Sequence, residues 1–248
     1  MDKNVNLQEI ACSDMAGTLY LIPVTLGDTP VQHVIPSYAL DLMDRLDHFI
    51  VEDLRSARRY LKKAGISKAI DDLSFYVLNE HTDVQSLEAL MTVLMDGDDA
   101  GLLSEAGVPA VADPGSGLVA LAHQNGIRVV PLAGPSSILL ALMASGMNGQ
   151  SFRFLGYLPV KKPQRLTSLR KIEKTALETG ETQIFMETPY RNMSLLEDIV
   201  GTCRDHTRLC IAADISLASE FIKTKTVREW KGKLPEIQKR PAMFLLSV

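Results

Sequence analysis

Two stretches of the sequence combine glycine, proline and small hydroxylated residues at a spacing that regular structure cannot hold. In Leu103-Ser-Glu-Ala-Gly-Val-Pro-Ala-Val-Ala-Asp-Pro-Gly115, the two prolines confine Val108 and Asp113 to extended backbone, while Gly107 and Gly115 permit turns closed to other residues. In Pro131-Leu-Ala-Gly-Pro-Ser-Ser137, the serines stand where a helix begins, and free N–H groups and hydroxyls there can hold a carboxylate or a ribose. Half of the glycines, 8 of 16, lie between positions 101 and 149. Taken singly, each loop reads equally well as a capped turn. Both follow strands of one expected sheet, and ligands of parallel sheets bind at strand carboxyl ends, so the pair points to a ligand site.

Two familiar phosphate-binding signatures do not account for them. Gly115-Ser-Gly117-Leu-Val-Ala120 fits the dinucleotide pattern, but it lies outside the first strand–helix unit. The region about twenty residues on is Gly134-Pro135-Ser136, with no acid for a ribose. No G-x-x-x-x-G-K-[ST] occurs. Three scattered cysteines (Cys12, Cys203, Cys210) and five histidines without metal-ligand spacing make a metal site unexpected.

The elements that position these loops follow from periodicity. Strands are expected at 17–24, 48–52, 73–78, 100–103 and 128–132, alternating with helices at 37–46, 55–64, 84–95 and 117–124. After a helix at 136–144, strands at 152–158, 182–187, 208–214, 221–227 and 242–248 accompany helices at 164–179 and 192–203, with a polar, basic stretch before the last strand. The reading is an N-terminal extension (1–16), an α/β domain (17–134) with a mainly parallel sheet, and a second α/β domain (135–248) with a mixed one.

At 248 residues, 46% hydrophobic and 23% charged, the chain has an ordinary globular composition. Its net charge of −4 conceals an asymmetry. Residues 1–150 carry 9 Lys/Arg against 19 Asp/Glu, and residues 151–248 carry 17 against 11. No basic-then-apolar leader opens the sequence, and proline or glycine breaks each apolar run short of a membrane span. A reduced, cytoplasmic, metal-free protein is expected.

The ordered motifs Gly17-Thr-Leu-Tyr20, Glu52-Asp-Leu-Arg55, Ser104-Glu-Ala-Gly-Val-Pro109, Asp113-Pro-Gly115, Pro131-Leu-Ala-Gly-Pro-Ser136, Phe152-Arg-Phe-Leu-Gly-Tyr-Leu-Pro159 and Ile184-Phe-Met-Glu-Thr-Pro-Tyr-Arg191 resemble the tetrapyrrole methylase superfamily. These are S-adenosylmethionine-dependent methyltransferases, and the chain is most similar to the branch that 2′-O-methylates cytidine in 16S ribosomal RNA. The resemblance implies two α/β domains with the cofactor cleft between them, and a homodimer. By position it assigns the cofactor to Thr25, Leu26, Ser104, Ala106, Gly107, Val108, Pro109, Val111, Gly134, Ser136, Ser137, Phe185 and Met186. The chain departs from the branch where Val24-Thr-Leu-Gly-Asp28, Glu52-Asp-Leu-Arg55, Asn79-Glu-His-Thr82, Ser104-Glu-Ala-Gly107 and Ala212-Ala-Asp-Ile-Ser-Leu217 replace its Thr-Pro-Ile-Gly-Asn, Glu-Asp-Thr-Arg, His-Glu-His-Asn, Ser-Asp-Ala-Gly and Ala-Arg-Glu-Leu-Thr-Lys.

A ribose hydroxyl is a poor nucleophile, so a base is required. Glu52, Asp53, Glu80, His81, Glu105 and Glu187 lie at or just beyond expected strand ends. Asp53 and Glu80 are preferred because they fall in family motifs, although each could equally cap a helix or pair on the surface. Arg55, His81, Lys161, Arg165, Glu187 and Arg191 are the expected substrate-side residues. Tyr157, Tyr190 and Trp230 are the aromatics placed to stack on bases. The basic second half suggests ribosomal RNA or the small ribosomal subunit as partner. The alternatives are methylation of a tetrapyrrole or another small molecule, or a cofactor-binding protein that has lost catalysis.

Overall fold

The structure, a computed structural model, describes residues 16–79, 82 and 84–248. The expected N-terminal extension falls outside them up to residue 15, as do Glu80 and His81. The chain divides into two compact units, between Pro135 and Ser136.

In the first unit, β1 (Thr18–Ile22), β2 (His48–Val51), β3 (Ser74–Val77), β4 (Ala100–Leu103) and β5 (Arg128–Pro131) form one parallel sheet in the order β3-β2-β4-β1-β5. Helices α1 (Ser37–Met43), α2 (Leu54–Ala64), α3 (Val84–Met95) and α4 (Ser116–Gln124) make the crossovers. Connections leaving β1 and β2 run toward the β3 edge, whereas those leaving β3 and β4 run toward β5. Right-handed crossovers in opposite directions place their helices on opposite faces. Leu42, Met43 and Leu61 of α1 and α2 accordingly pack on Ile22 and Phe49. Leu90, Leu94 and Leu118 of α3 and α4 pack on Leu19 and Leu102. The change of direction falls among the central strands β1, β2 and β4. Their carboxyl-end loops diverge there, leaving the crevice that such sheets use for ligands.

Helix α1 ends at Met43 rather than at the expected Leu46, because Asp44 and Arg45 turn their N–H groups onto Leu40 and Leu42 carbonyls and tighten the last turn. Leu46 is nevertheless buried.

The second unit holds β6 (Phe152–Tyr157), β7 (Thr182–Glu187), β8 (Arg208–Ala213), β9 (Phe221–Thr226) and β10 (Ala242–Ser247) in the order β6-β7-β10-β8-β9. The β6–β7 pair is parallel and the other pairs are antiparallel, so this sheet is mixed. Helices α6 (Lys162–Thr179) and α7 (Asn192–Thr202) cover the face that carries Phe185, Ile211 and Phe244. Helix α5 (Ser137–Ser145), apolar almost throughout, packs against β8, β9 and β10.

In this unit one element departs from expectation. The basic stretch after β9 begins with a helix, α8 (Val227–Gly232), closed by a reciprocal capping box between Thr226 and Glu229. It buries Trp230, whose Nε1 donates to the Leu209 carbonyl at 2.9 Å. That aromatic belongs to the core and is not available to stack on a base. Among the described residues no helix is long and apolar enough to cross a membrane.

Candidate active site

The loops at the carboxyl edge of the first sheet are tied to one another by backbone. The Val24 N–H, just past β1, donates to the Gly107 carbonyl at 2.8 Å, and Ser104 Oγ donates to the same oxygen at 3.2 Å. Gly107 has φ +80°, and a Cβ there would press on Leu26 at 3.1 Å. At Gly134 a Cβ would lie 2.2 Å from Pro23 Cγ, so only glycine lets the loop after β5 rest on the loop after β1. Thr25, Leu26, Ser104, Ala106, Gly107, Val108, Pro109, Val111 and Gly134 thus all lie in loops leaving the same edge of one sheet.

Beside these loops opens a cleft of about 470 Å³. The loop after β1 supplies Thr25 to Asp28, α2 supplies Ser56, Arg59, Tyr60 and Lys63, and the loop after β4 supplies Glu105 and Ala106. Tyr60 Oη donates to the Pro23 carbonyl at 3.3 Å, and burial pushes its phenol well above the usual range. Lys63 pairs with Asp28 at 2.5 Å.

The acids around the cleft differ in state. Asp53 caps α2: its Oδ1 accepts from the Ser56 N–H at 2.8 Å and from Ser56 Oγ at 2.7 Å. These bonds hold its carboxyl below the ordinary value. That makes Asp53 a cap and a weak base. Asp113 is the opposite case. Burial, reinforced by the negative charges of Glu52 and Glu105, pushes it up to about 6. It lies in the loop after β4, where Ala110 and Ala112 hold φ of 63° and 61°. Left-handed backbone at alanine is strained, and such strain persists only where surrounding contacts fix the loop.

In the second unit, Ser136 caps α5 by accepting from the Leu139 N–H, and Ser137 is the first residue of that helix. Phe185 is fully buried and stacked on Phe244, so only its backbone can meet a ligand, whereas Met186 is half-buried. Glu187 is buried at the end of β7. Burial alone would raise it, but hydrogen bonds from Arg191 Nη2 at 2.6 Å and the Thr188 N–H at 2.7 Å hold it below the ordinary value. Among the described residues, Glu187 Oε2, Arg191 Nε and Asn192 Oδ1 are buried without partners.

Lys161 is exposed before α6. Arg165 is not on the surface as expected. Its side chain is 4% exposed, and its guanidinium is occupied by Asp198 at 2.5 Å, the Val160 carbonyl and Ser194 Oγ. A buried, fully engaged arginine holds the fold rather than a substrate phosphate.

Sequence reasoning singled out Asp113-Pro-Gly115 as a motif but not Asp113 as a proton acceptor. Its state depends on Glu52 and Glu105 from two other segments, which spacing alone does not reveal. Arg59, Tyr60 and Lys63 were also missed. Their signal was legible as one face of an amphipathic helix beginning at a capping aspartate.

Comparison with known proteins gives the family. The profile of the tetrapyrrole (corrin/porphyrin) methylases matches residues 18–231. The ribosomal RNA small subunit methyltransferase I of Escherichia coli O157:H7 is 31% identical over 233 residues, covering 94% of this chain and 77% of that protein. The protein of the same name from Mesorhizobium japonicum is 34% identical over 224 residues, covering 90% and 72%. Among solved structures, the methyltransferase CobJ aligns with TM-score 0.62 at 14% identity, covering 94% of both chains. The uroporphyrin-III C-methyltransferase of Thermus thermophilus, complexed with S-adenyl homocysteine, aligns with TM-score 0.55 at 16% identity, covering 93% of this chain and 97% of that one. These two likenesses concern the fold. The chain is a methyltransferase and belongs to the tetrapyrrole (corrin/porphyrin) methylase family.

Proposed function

We propose that this enzyme transfers a methyl group from S-adenosylmethionine to a ribose 2′-hydroxyl of small-subunit ribosomal RNA. The observation that carries the reading is the set of relatives named ribosomal RNA small subunit methyltransferase I, 30–34% identical over most of this chain. The 2′-hydroxyl as acceptor rests on the motif resemblance.

The donor set suits the cofactor's chemistry. S-Adenosylmethionine is a sulfonium cation with ribose hydroxyls and an amino-acid end. The first unit offers Ser104, the apolar Leu26, Val108 and Val111, and the nearby acids Glu52, Glu105 and Asp113. Ser136, Ser137 and Met186 are the second unit's candidates. Once bound, the cofactor supplies an electrophilic methyl group.

The chain's own task is positioning and proton removal. Asp113 is the base best matched to neutral pH: with a value of about 6 it is mostly ionised at pH 7 yet still basic enough to accept a hydroxyl proton. Asp53 is committed to its cap. Glu80 is the second candidate, and separate Asp113→Asn and Glu80→Gln assays distinguish the two. On this reading the enzyme works in the cytoplasm, where ribosomal subunits are assembled. It acts as a homodimer, a state favoured by the outward, 78% exposed Met143 and the 51% exposed Leu139 of α5.

The test is to incubate the enzyme with methyl-labelled cofactor and a cell extract containing small ribosomal subunits. Label in the RNA fraction supports the reading. Label in acid-soluble small molecules favours the tetrapyrrole alternative and rejects it.

A further inference from the structure

The first unit is acidic as a whole, yet five of the nine basic residues within positions 1–150 fall on α2: Arg55, Arg58, Arg59, Lys62 and Lys63. The helix buries Ala57, Leu61 and Ala64 and turns its cations outward. Ordinary helix physics accounts for only some of them. Lys62 and Lys63 complement the negative carboxyl end of the helix dipole. Arg58 pairs with Asp71 and lies over Phe75, and Lys63 pairs with Asp28.

Arg55 and Arg59 are not explained this way. Arg55 is in the first turn, where the dipole disfavours a cation, although the neighbouring Asp53 carboxylate attracts it. Arg55–Arg59, Arg58–Lys62 and Arg59–Lys63 are like charges one turn apart, an arrangement that weakens a helix. Among the described residues, Arg59 and Lys62 form no ion pair. Arg55, Arg59 and Lys62 follow i, i+4, i+7 spacing along one side of the helix, over about 10 Å of its axis. Arg59 and Lys63 also line the cleft.

Many cations of the second unit are engaged. Arg165 is buried on Asp198, and Lys162 reaches the same carboxylate at 3.2 Å. Arg228 and Lys231 share Asp205, Arg240 holds Asp214, and Lys225 lies over Trp230. The basic half of the sequence therefore carries less free positive charge than its composition suggests. The acidic half concentrates its own beside the cleft.

We infer that the outer face of α2 is the track for the acceptor strand, with Arg55, Arg59 and Lys62 holding successive backbone phosphates and leading a nucleotide to the cleft. This rests on the reading of RNA as substrate and goes beyond it by assigning the docking surface. The ridge that destabilises the free helix is relieved when a polyanion lies along it. A phosphate track contributes affinity without sequence information, so base selection falls to groups inside the cleft.

The test compares the wild-type full chain with two triple variants, Arg55→Gln/Arg59→Gln/Lys62→Gln on α2 and Arg170→Gln/Lys171→Gln/Lys174→Gln on α6. Binding of a labelled single-stranded oligoribonucleotide is measured across a salt series. S-Adenosylhomocysteine binding and thermal melting verify that each variant is folded. Loss of three phosphate contacts predicts that the log–log salt slope falls by about 2 for the α2 variant, with at least a tenfold loss of affinity at low salt. The α6 variant is expected to shift affinity less than threefold. If wild type binds the oligoribonucleotide and the α2 variant keeps its slope, the inference fails while the RNA reading stands. If wild type binds no RNA but binds a polycarboxylate such as uroporphyrin, both fail.

Discussion

Ser56 Oγ lies 2.6 Å from Glu105 Oε1, joining the first turn of α2 to the loop after β4 along one wall of the cleft. The same oxygen is 2.7 Å from Asp53 Oδ1, and a hydroxyl has one proton to give, so it serves one carboxylate at a time. Ser56→Ala removes both bonds and is predicted to destabilise the protein by about 1 kcal/mol, read as a lower urea midpoint. Because Glu105 then loses its tie to α2, KM for RNA is expected to rise more than kcat falls.

Asp113 gives the pH dependence. With a value near 6, its ionised fraction and the rate should rise together between pH 5 and 7, and Asp113→Asn should abolish that limb along with most turnover. Stability moves the other way. A carboxyl whose folded value is raised favours the fold below about pH 4 and loses that contribution as pH climbs through 6. Asp113→Asn should therefore be more stable than wild type at pH 7, by about 1 kcal/mol after solvent screening, and equal to it below pH 4. Denaturant titrations at both pH values check this.

Asp53 and Arg165 separate architecture from chemistry. Asp53→Asn preserves a side-chain cap and should leave folding and turnover close to wild type, whereas Asp53→Ala should lower the melting temperature. Arg165→Ala leaves Asp198 buried with only the exposed Lys162 beside it, and is predicted to cost about 3 kcal/mol in a denaturant titration. Lys161→Ala should change stability by less than about 0.5 kcal/mol.

Gly134→Ala tests the contact between loops. The added Cβ would overlap the Pro23 ring, which must shift. A cost of about 1–3 kcal/mol and a weakened affinity for S-adenosylhomocysteine, measured by calorimetry, are expected.

Much of this architecture was legible because burial imposes period. The all-apolar Ala100–Leu103 and the run Val84–Met95 were read with the ends the structure shows. The Thr226-x-x-Glu229 capping signal was present but lay within a lysine-rich stretch, and α8 was read only as part of a polar, basic stretch. At the site, the glycine and proline loops announced themselves through the backbone they require. Side-chain roles did not, because each depends on a partner distant in sequence: Arg165 on Asp198, and Asp113 on Glu52 and Glu105. Helix α2 was hidden by averaging. Its five cations vanish among the nineteen acids of residues 1–150.

The central claim is methylation of a ribose hydroxyl in small-subunit RNA, and alkaline hydrolysis of the labelled product tests it most directly. A 2′-O-methyl group removes the hydroxyl that alkali needs to cleave the adjoining phosphodiester. The account predicts label in alkali-resistant dinucleotides from small-subunit RNA. Label recovered only in mononucleotides, or none in RNA while S-adenosylmethionine binds normally, would contradict it.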